Sequence, residues 1–216
     1  MLTVVDHPRA PFIKPVITFD DGELGRAMLA LWKQVAQSRP APDAVVGIAS
    51  GGLLCAEKLK DSLNLPVFSC AMRRPGTEAK RLPVLQIVLQ AALRAMPYSI
   101  SNCIRRIEDR QLARRATKTP TSLRQPSAQL LADVAFVAES VAAQRLRHVL
   151  IVDDAVDSGA TLACVYTSLR NALPQDVSIT TAVITQTRPS PAFYPDVILF
   201  RDTLCRFPWS LDFRGV

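Results

Sequence analysis

The 216-residue chain is short of several things, and each shortage removes a class of function. Only two histidines are present, His7 and His148, and neither lies near a nucleophile motif, which argues against a Ser-His-Asp or Cys-His hydrolase. The five cysteines (Cys55, Cys70, Cys103, Cys164 and Cys205) are scattered, odd in number and never spaced as CxxC. That pattern predicts free thiols in a reducing cytoplasm and no zinc site. Aromatic residues make up 6% of the chain and form no aromatic-rich RNA-binding module, which weighs against nucleic acid as a partner. No apolar run approaches the length of a membrane span, and the opening residues lack a secretory pattern, so a cytoplasmic protein without membrane contact is expected.

What is present is a hydrophobic content of 49%, mostly aliphatic, which suits one large α/β globule. Charge is unevenly placed. Between Arg73 and Arg124 twelve Lys or Arg face three acids (Glu78, Glu108 and Asp109), a net of +9 against +7 for the whole chain, so the remainder sums to −2. A basic segment over a near-neutral body suggests an anion-binding lid, a nucleic-acid surface or a solvated helix face.

The stretch around which the chain is organised runs from His148 to Leu162. Val149 to Val152 is a β-branched apolar run, long enough for one buried strand, and the carboxylates Asp153 and Asp154 follow where that strand should end. Asp157, Ser158, Gly159, Ala160 and Thr161 then make a tight turn opening a helix through Leu162, Val165, Leu169 and Leu173. N–H groups and hydroxyls at such a helix start bind phosphate, and paired carboxylates suit vicinal sugar hydroxyls with Mg²⁺ bridging. The plainer reading is a strand–turn–helix whose acidic start complements the helix dipole. Thirteen positions, however, match in class and order the phosphoribosyl pyrophosphate (PRPP) signature of type I phosphoribosyltransferases, and the run resembles that signature.

The resemblance implies that Asp153, Asp154, Ala155, Val156, Asp157, Ser158, Gly159, Ala160 and Thr161 hold the ribose and 5′-phosphate of PRPP. Asp153 and Asp154 would also serve Mg²⁺, and Asp157 would act on the acceptor as general base or hydrogen-bond partner. The reaction implied is displacement of pyrophosphate at the anomeric carbon, through a transition state of oxocarbenium character.

Upstream, residues 1–16 carry three prolines and should form an extended arm, followed by a short strand over 17–19. Leu24, Met28, Leu31, Trp32 and Val35 recur at helical spacing between Gly22 and Gln37, with Trp32 expected in the core. Asp43 to Ala49 reads as the first core strand, turning at Ser50, Gly51 and Gly52 into a helix over 53–63. A Gly-Gly element alone is an ordinary strand–helix turn. Its place upstream of the strong motif makes it similar to the family's pyrophosphate loop, with Ser50 standing where related purine enzymes often carry a basic residue. Pro66 to Met72 reads as a second strand delivering Arg73 and Arg74, which the resemblance assigns to pyrophosphate and which are equally at home on a surface.

Residues 82–126 are the least family-like. Val84, Leu85, Val88, Leu89, Leu93 and Met96 suggest an amphipathic helix broken at Pro97, a basic helix should follow over 104–116, and residues 117–127 read as a loop or lid. This insertion would gate the site, build a dimer interface or bind RNA. Ser127 then caps a helix with Leu130, Val134, Val137 and Val141 on one face. Strands are expected over 177–185 and 196–200. Alternating strands and helices predict a doubly wound parallel α/β sheet, with ligands at the strand carboxyl ends, where Ser50, Arg73 and Asp153 would converge.

The tail is similar to the C-terminal hood of bacterial and archaeal xanthine/guanine and hypoxanthine phosphoribosyltransferases. It carries Thr187-Arg188-Pro189 after a strand, Pro195-Asp196 before the next, and Pro208-Trp209 near the end. The likeness puts Arg188 and Leu204 at the base, Leu204 replacing a stacking aromatic, and Arg206 at a position that is acidic in guanine-type enzymes. Phe207, Pro208 and Trp209 are expected to pack the hood onto the core. The whole chain, 1–216, is thus expected to be one phosphoribosyltransferase-like domain: core 17–81 and 127–186, helical insertion 82–126, and a hood from 187–216 with the N-terminal arm. Expected partners are PRPP, a nucleobase-like acceptor (purine-like by resemblance) and a second copy in a homodimer. The other reading is a PRPP- or nucleotide-binding regulator, RNA-associated through the insertion and without transferase activity.

Overall fold

The computed structural model describes residues 13–38, 40–72, 91, 93–118 and 125–215. Arg73 and Arg74, most of the helix expected between Val84 and Met96, and the middle of the 117–127 loop lie outside the described residues.

In chain order the elements are β1 (Val16–Thr18), α1 (Asp21–Ser38), β2 (Ala44–Ala49), α2 (Gly51–Leu63), β3 (Val67–Ala71), α3 (Tyr98–Lys118), α4 (Ala128–Ala143), β4 (His148–Val156), α5 (Ala160–Ala172), β5 (Ser178–Gln186), β6 (Val197–Arg201) and β7 (Leu204–Arg206). Five strands form one parallel sheet in the order β3-β2-β4-β5-β6, so the strand carrying the acidic run is central. Buried on both faces, β2 and the first half of β4 need continuous apolar sequence, as parallel strands do. The pleat sends alternate residues into two separate cores. Val46, Ile48, Val149 and Ile151 pack with α4 and α5, whereas Val45, Leu150, Val152 and Ile184 pack with α1 and α2. The sheet is therefore doubly wound, as expected.

Local signals explain the helix ends. Ser127 Oγ accepts from Leu130 N at 3.1 Å, and Leu130, Val134, Val137 and Val141 of α4 are all buried. The backbone N–H of Asn64, at φ 54°, closes α2 by donating to Lys60 O. Trp32, on α1, packs against the core but is only half-buried. Among the described residues no helix is long and apolar enough to cross a membrane.

Three differences from the sequence reading concern what side chains conceal. The basic helix α3 begins at Tyr98, six residues before Ile104, because the Pro97 carbonyl accepts from Ile100 N and Ser101 N. β4 does not stop at Asp153. It pairs with β5 as far as Val156↔Gln186, while its pairing with β2 stops at Gly47↔Val152. Backbone pairing tolerates the carboxylates because only one edge of the strand has run out of partner.

The third difference is β7, which pairs in parallel with β1 through Val16↔Leu204, Ile17↔Cys205 and Thr18↔Arg206. Arg206 is only 1% exposed. Its guanidinium donates to Asp212 Oδ2 (2.9 Å), Thr18 Oγ1 (2.8 Å), Ser101 Oγ (2.8 Å) and Asn102 Oδ1 (2.7 Å), and lies over the Tyr98 ring at 4.2 Å. Arg105 adds a second fork, to both oxygens of Asp212 and to Cys205 O. One buried charge cluster thus ties β1, β7, α3 and the segment after Trp209 together.

Burial alone would raise the Asp212 pKa, but hydrogen bonds and charge from Arg105 and Arg206 outweigh it and hold the carboxyl at about 2. A depressed folded-state pKa stabilises fully above the unfolded carboxylate pKa near 4 and is lost as pH falls through about 2. Asp212→Asn should lower unfolding free energy at pH 7 by about 3 kcal/mol, since it strands a buried guanidinium. The gap from the native chain should shrink as pH falls from about 4 towards 2, read by urea denaturation across that range.

Candidate active site

The pairing of β4 with β2 stops at Gly47↔Val152 while its pairing with β5 continues, so Asp153 and Asp154 lie past that contact and the start of α2 fills the space beside them. A Cβ placed on Gly51 would lie 2.1 Å from Asp154 Oδ2, and one on Gly52 would lie 2.4 Å from Val152 O and 2.9 Å from the Asp153 Cα. No side chain fits there. The two loops expected to belong to one site are therefore in direct backbone contact, with Ser50 exposed at the rim as the N-cap of α2 after a cis peptide from Ala49. Asp153 and Asp154 are half-buried, and Asp153 Oδ1 accepts from Asp154 N at 3.0 Å.

The turn after β4 is set by Gly159, whose φ of 75° is left-handed and whose missing Cβ would meet Phe193 N at 2.7 Å. Phe193 is held there because Ala192 N donates to Ser158 O at 2.7 Å. Ala160 begins α5, so Ser158 and Thr161, both half-buried, flank first-turn N–H groups that lack intrahelical acceptors. That is an anion-binding geometry. Ala155 is half-buried and Val156 buried, so their backbone rather than their side chains shapes the wall.

Asp157 is half-exposed, its side chain 44% accessible. Thr187 Oγ1 donates to Asp157 Oδ1, and Arg188 pairs with the same carboxylate at 3.2 Å. Thr187 N in turn donates to Val156 O at 2.9 Å, extending the β4–β5 contact into the loop. The structure thus brings together Ser50, Gly51, Gly52, residues 153–161 and Arg188. Leu204 is buried, with its backbone committed to the β1–β7 sheet.

Two contacts escaped the sequence reading. Thr187 holds Asp157, and Trp209 does more than pack: its ring stacks on Phe207 at 4.9 Å while its Nε1 donates to Asp154 Oδ2 at 3.3 Å. The Pro-Trp step signalled the packing; the hydrogen bond needed the coordinates. Beneath the acidic pair lies Cys55, whose thiol is pushed well up by burial, then by the charges of Asp154, Asp153 and Cys205. Cys205 is raised to about 12, mainly by burial. Neither thiol ionises near neutral pH, so neither is a nucleophile here.

The donor set suits a hard cation. Two adjacent carboxylates at an open strand end match the habit of Mg²⁺, which takes one or two protein carboxylates and completes its shell with substrate oxygens and water. Among the described residues no group of three or more His, Cys, Asp or Glu side chains is placed to hold a metal ion by itself.

Gly51→Ala should push the Asp154 carboxylate aside, since the new Cβ would lie 2.1 Å from its Oδ2, and weaken sugar-phosphate binding by at least about tenfold, read by calorimetry. Trp209→Phe keeps the stack and removes only the donor. It should cost less than about 1.5 kcal/mol of stability but measurably alter affinity for the sugar phosphate, compared by calorimetry and denaturation on the same protein.

A family model for the phosphoribosyl transferase domain matches residues 22–210. Among solved structures, the chain is similar to the Helicobacter pylori xanthine-guanine-hypoxanthine phosphoribosyltransferase, at 18% identity and a TM-score of 0.52, over 91% of this chain and 95% of that one. A Neisseria gonorrhoeae protein described as hypothetical, with bound ppGpp, matches at 17% identity and a TM-score of 0.53, over 91% of this chain and 90% of that one. Comparison with curated protein sequences returns no match. With a model match across nearly the whole sheet and the strands around it, the chain belongs to the phosphoribosyl transferase domain family and is a PRPP-dependent phosphoribosyltransferase.

Proposed function

We propose that this protein transfers ribose 5-phosphate from PRPP to a ring nitrogen of a heterocyclic base, releasing pyrophosphate. The observation that carries this reading is the contact of Gly51 and Gly52 with Asp153 and Asp154, which makes one crevice of two loops suited to opposite ends of PRPP. In this reading the first turn of α5, with Ser158 and Thr161, grips the 5′-phosphate. Asp153 and Asp154 hold the ribose hydroxyls, Asp154 being fixed by Trp209. The N–H groups of Gly51 and Gly52 face the pyrophosphate as its bond to the anomeric carbon breaks. Mg²⁺ held by Asp153 and Asp154 would supply charge neutralisation for the leaving group.

Asp157 stands beyond the ribose-facing pair, pinned by Thr187 and Arg188 so that its carboxylate is oriented before the acceptor arrives. As the bond from the ring nitrogen to the anomeric carbon forms, the nitrogen loses its proton, and Asp157 receives it. Arg188, held on that carboxylate, borders the acceptor. Oxocarbenium character at the anomeric carbon is favoured by the three carboxylates on one side of the crevice.

Asp157→Asn preserves shape and the Thr187 contact but removes the proton acceptor. It should retain PRPP–Mg²⁺ affinity within about threefold and lose at least about 100-fold in acceptor-dependent pyrophosphate release. Unchanged turnover would take Asp157 out of the chemistry, and failure of the native chain to bind PRPP would remove the proposal itself.

A further inference from the structure

Adjoining Thr187 and Arg188, the two residues that hold Asp157, lies a cavity of about 280 Å³ that none of the roles above occupies. Its charged lining is Lys14 from the arm before β1, Arg106, Asp109 and Arg110 from α3, and Arg188 itself, four cations against one acid. The volume is at the lower end of small-molecule pockets, the size for one ring and a substituent rather than a second nucleotide.

The cations are unequally satisfied. Lys14 Nζ pairs with Asp109 at 2.8 Å and donates to Thr187 O, and Arg188 pairs with Asp157 at 3.2 Å. Arg106 commits Nε to Lys14 O at 3.0 Å, which fixes its fork beside the cavity without neutralising it. Among the described residues neither Arg106 nor Arg110 has a carboxylate partner. Two like charges four residues apart on one helix face disfavour the helix, so their presence here is not a stability device. They line the same cavity as Arg188, which pairs with Asp157.

We propose that this cationic face of α3 is an anion subsite for the acceptor, selecting a heterocycle that carries a carboxylate or phosphate group over a neutral base. The ring sits against Arg188 with its reacting nitrogen towards Asp157, and the anionic substituent reaches the guanidinium forks of Arg106 and Arg110, which match planar oxyanions. A neutral base leaves both forks with water alone. The assignment to the acceptor rests on the transferase reading above; the anion subsite itself rests on the cavity and its charges.

The test uses the full chain with matched pairs, pyridine-3-carboxylate against its carboxamide and uracil-6-carboxylate against uracil, with calorimetric PRPP–Mg²⁺ binding measured separately. Acceptor-dependent pyrophosphate release should favour at least one carboxylate by about tenfold or more. Arg110→Glu should abolish that preference through KM, Arg110→Lys should restore much of it, and PRPP affinity should not move in either variant, since Arg110 touches none of the PRPP-facing residues. Equal use of both members of each pair, or a preference surviving Arg110→Glu and the Arg106→Gln/Arg110→Gln double variant, would overturn the subsite. If PRPP does not bind, the transferase reading fails by itself. The subsite is then judged on direct titration of free protein with inorganic phosphate and acetate. Binding lost in Arg110→Glu sustains it, with the tighter anion naming the substituent class, and binding of neither overturns it.

Discussion

The closest approach of two loops governs this structure: the backbone of Gly51 and Gly52 occupies the space just beyond the end of β2, against the carboxylates at the end of β4. It exists because β4 continues four residues past its pairing with β2 while staying paired to β5. A strand that ended with its neighbour would carry Asp153 and Asp154 into a loop, and their direction would then depend on side-chain packing alone. Here the sheet fixes them on one edge and the glycines wall them on the other. Gly47 extends the same constraint one turn down, since a Cβ there would lie 2.5 Å from the Leu53 Cα, so α2 rests on β2 at backbone distance.

From that wall the site is built outward in successive layers. The acidic pair belongs to the central strand, Asp157 to the turn, and the groups that hold Asp157 to the segment after β5. The outermost layer is α3 and the β1–β7 sheet, joined by Arg206 and Arg105 around Asp212. Such a buried ionic cluster is poor at adding net stability relative to an apolar replacement, but it specifies geometry, because each donor of a planar guanidinium has one direction. The shared cluster sets the position of α3, and with it the basic face beside Arg188, relative to the catalytic core.

The sequence disclosed those parts whose burial is written in apolar periodicity. β2, β4, α4 and α5 were legible because both sheet faces demand aliphatic residues, and the 153–161 run because its chemistry is concentrated in nine consecutive positions. The end of β4 was not legible, since a carboxylate reads as a strand terminator even where the ladder continues on one edge. β7 was hidden for two reasons: three residues carry no period, and an arginine in their midst reads as surface when it is the most buried large side chain of the hood. The start of α3 depends on a proline carbonyl, and the partnership of Trp209 with Asp154 joins positions 55 residues apart, which no local pattern encodes.

The parallel pairing of β1 with β7 places the first strand beside one that is made almost last, with Thr18 and Arg206 separated by 188 positions. Loop closure over that span can be reached only after the central sheet has drawn the ends together. On a ribosome the sheet strands β2 to β5 and their helices emerge and can pack while β1 still waits without its partner. The crevice between the glycine loop and the acidic strand is thus made by elements that need neither end of the chain, while the β1–β7 sheet beside it needs both.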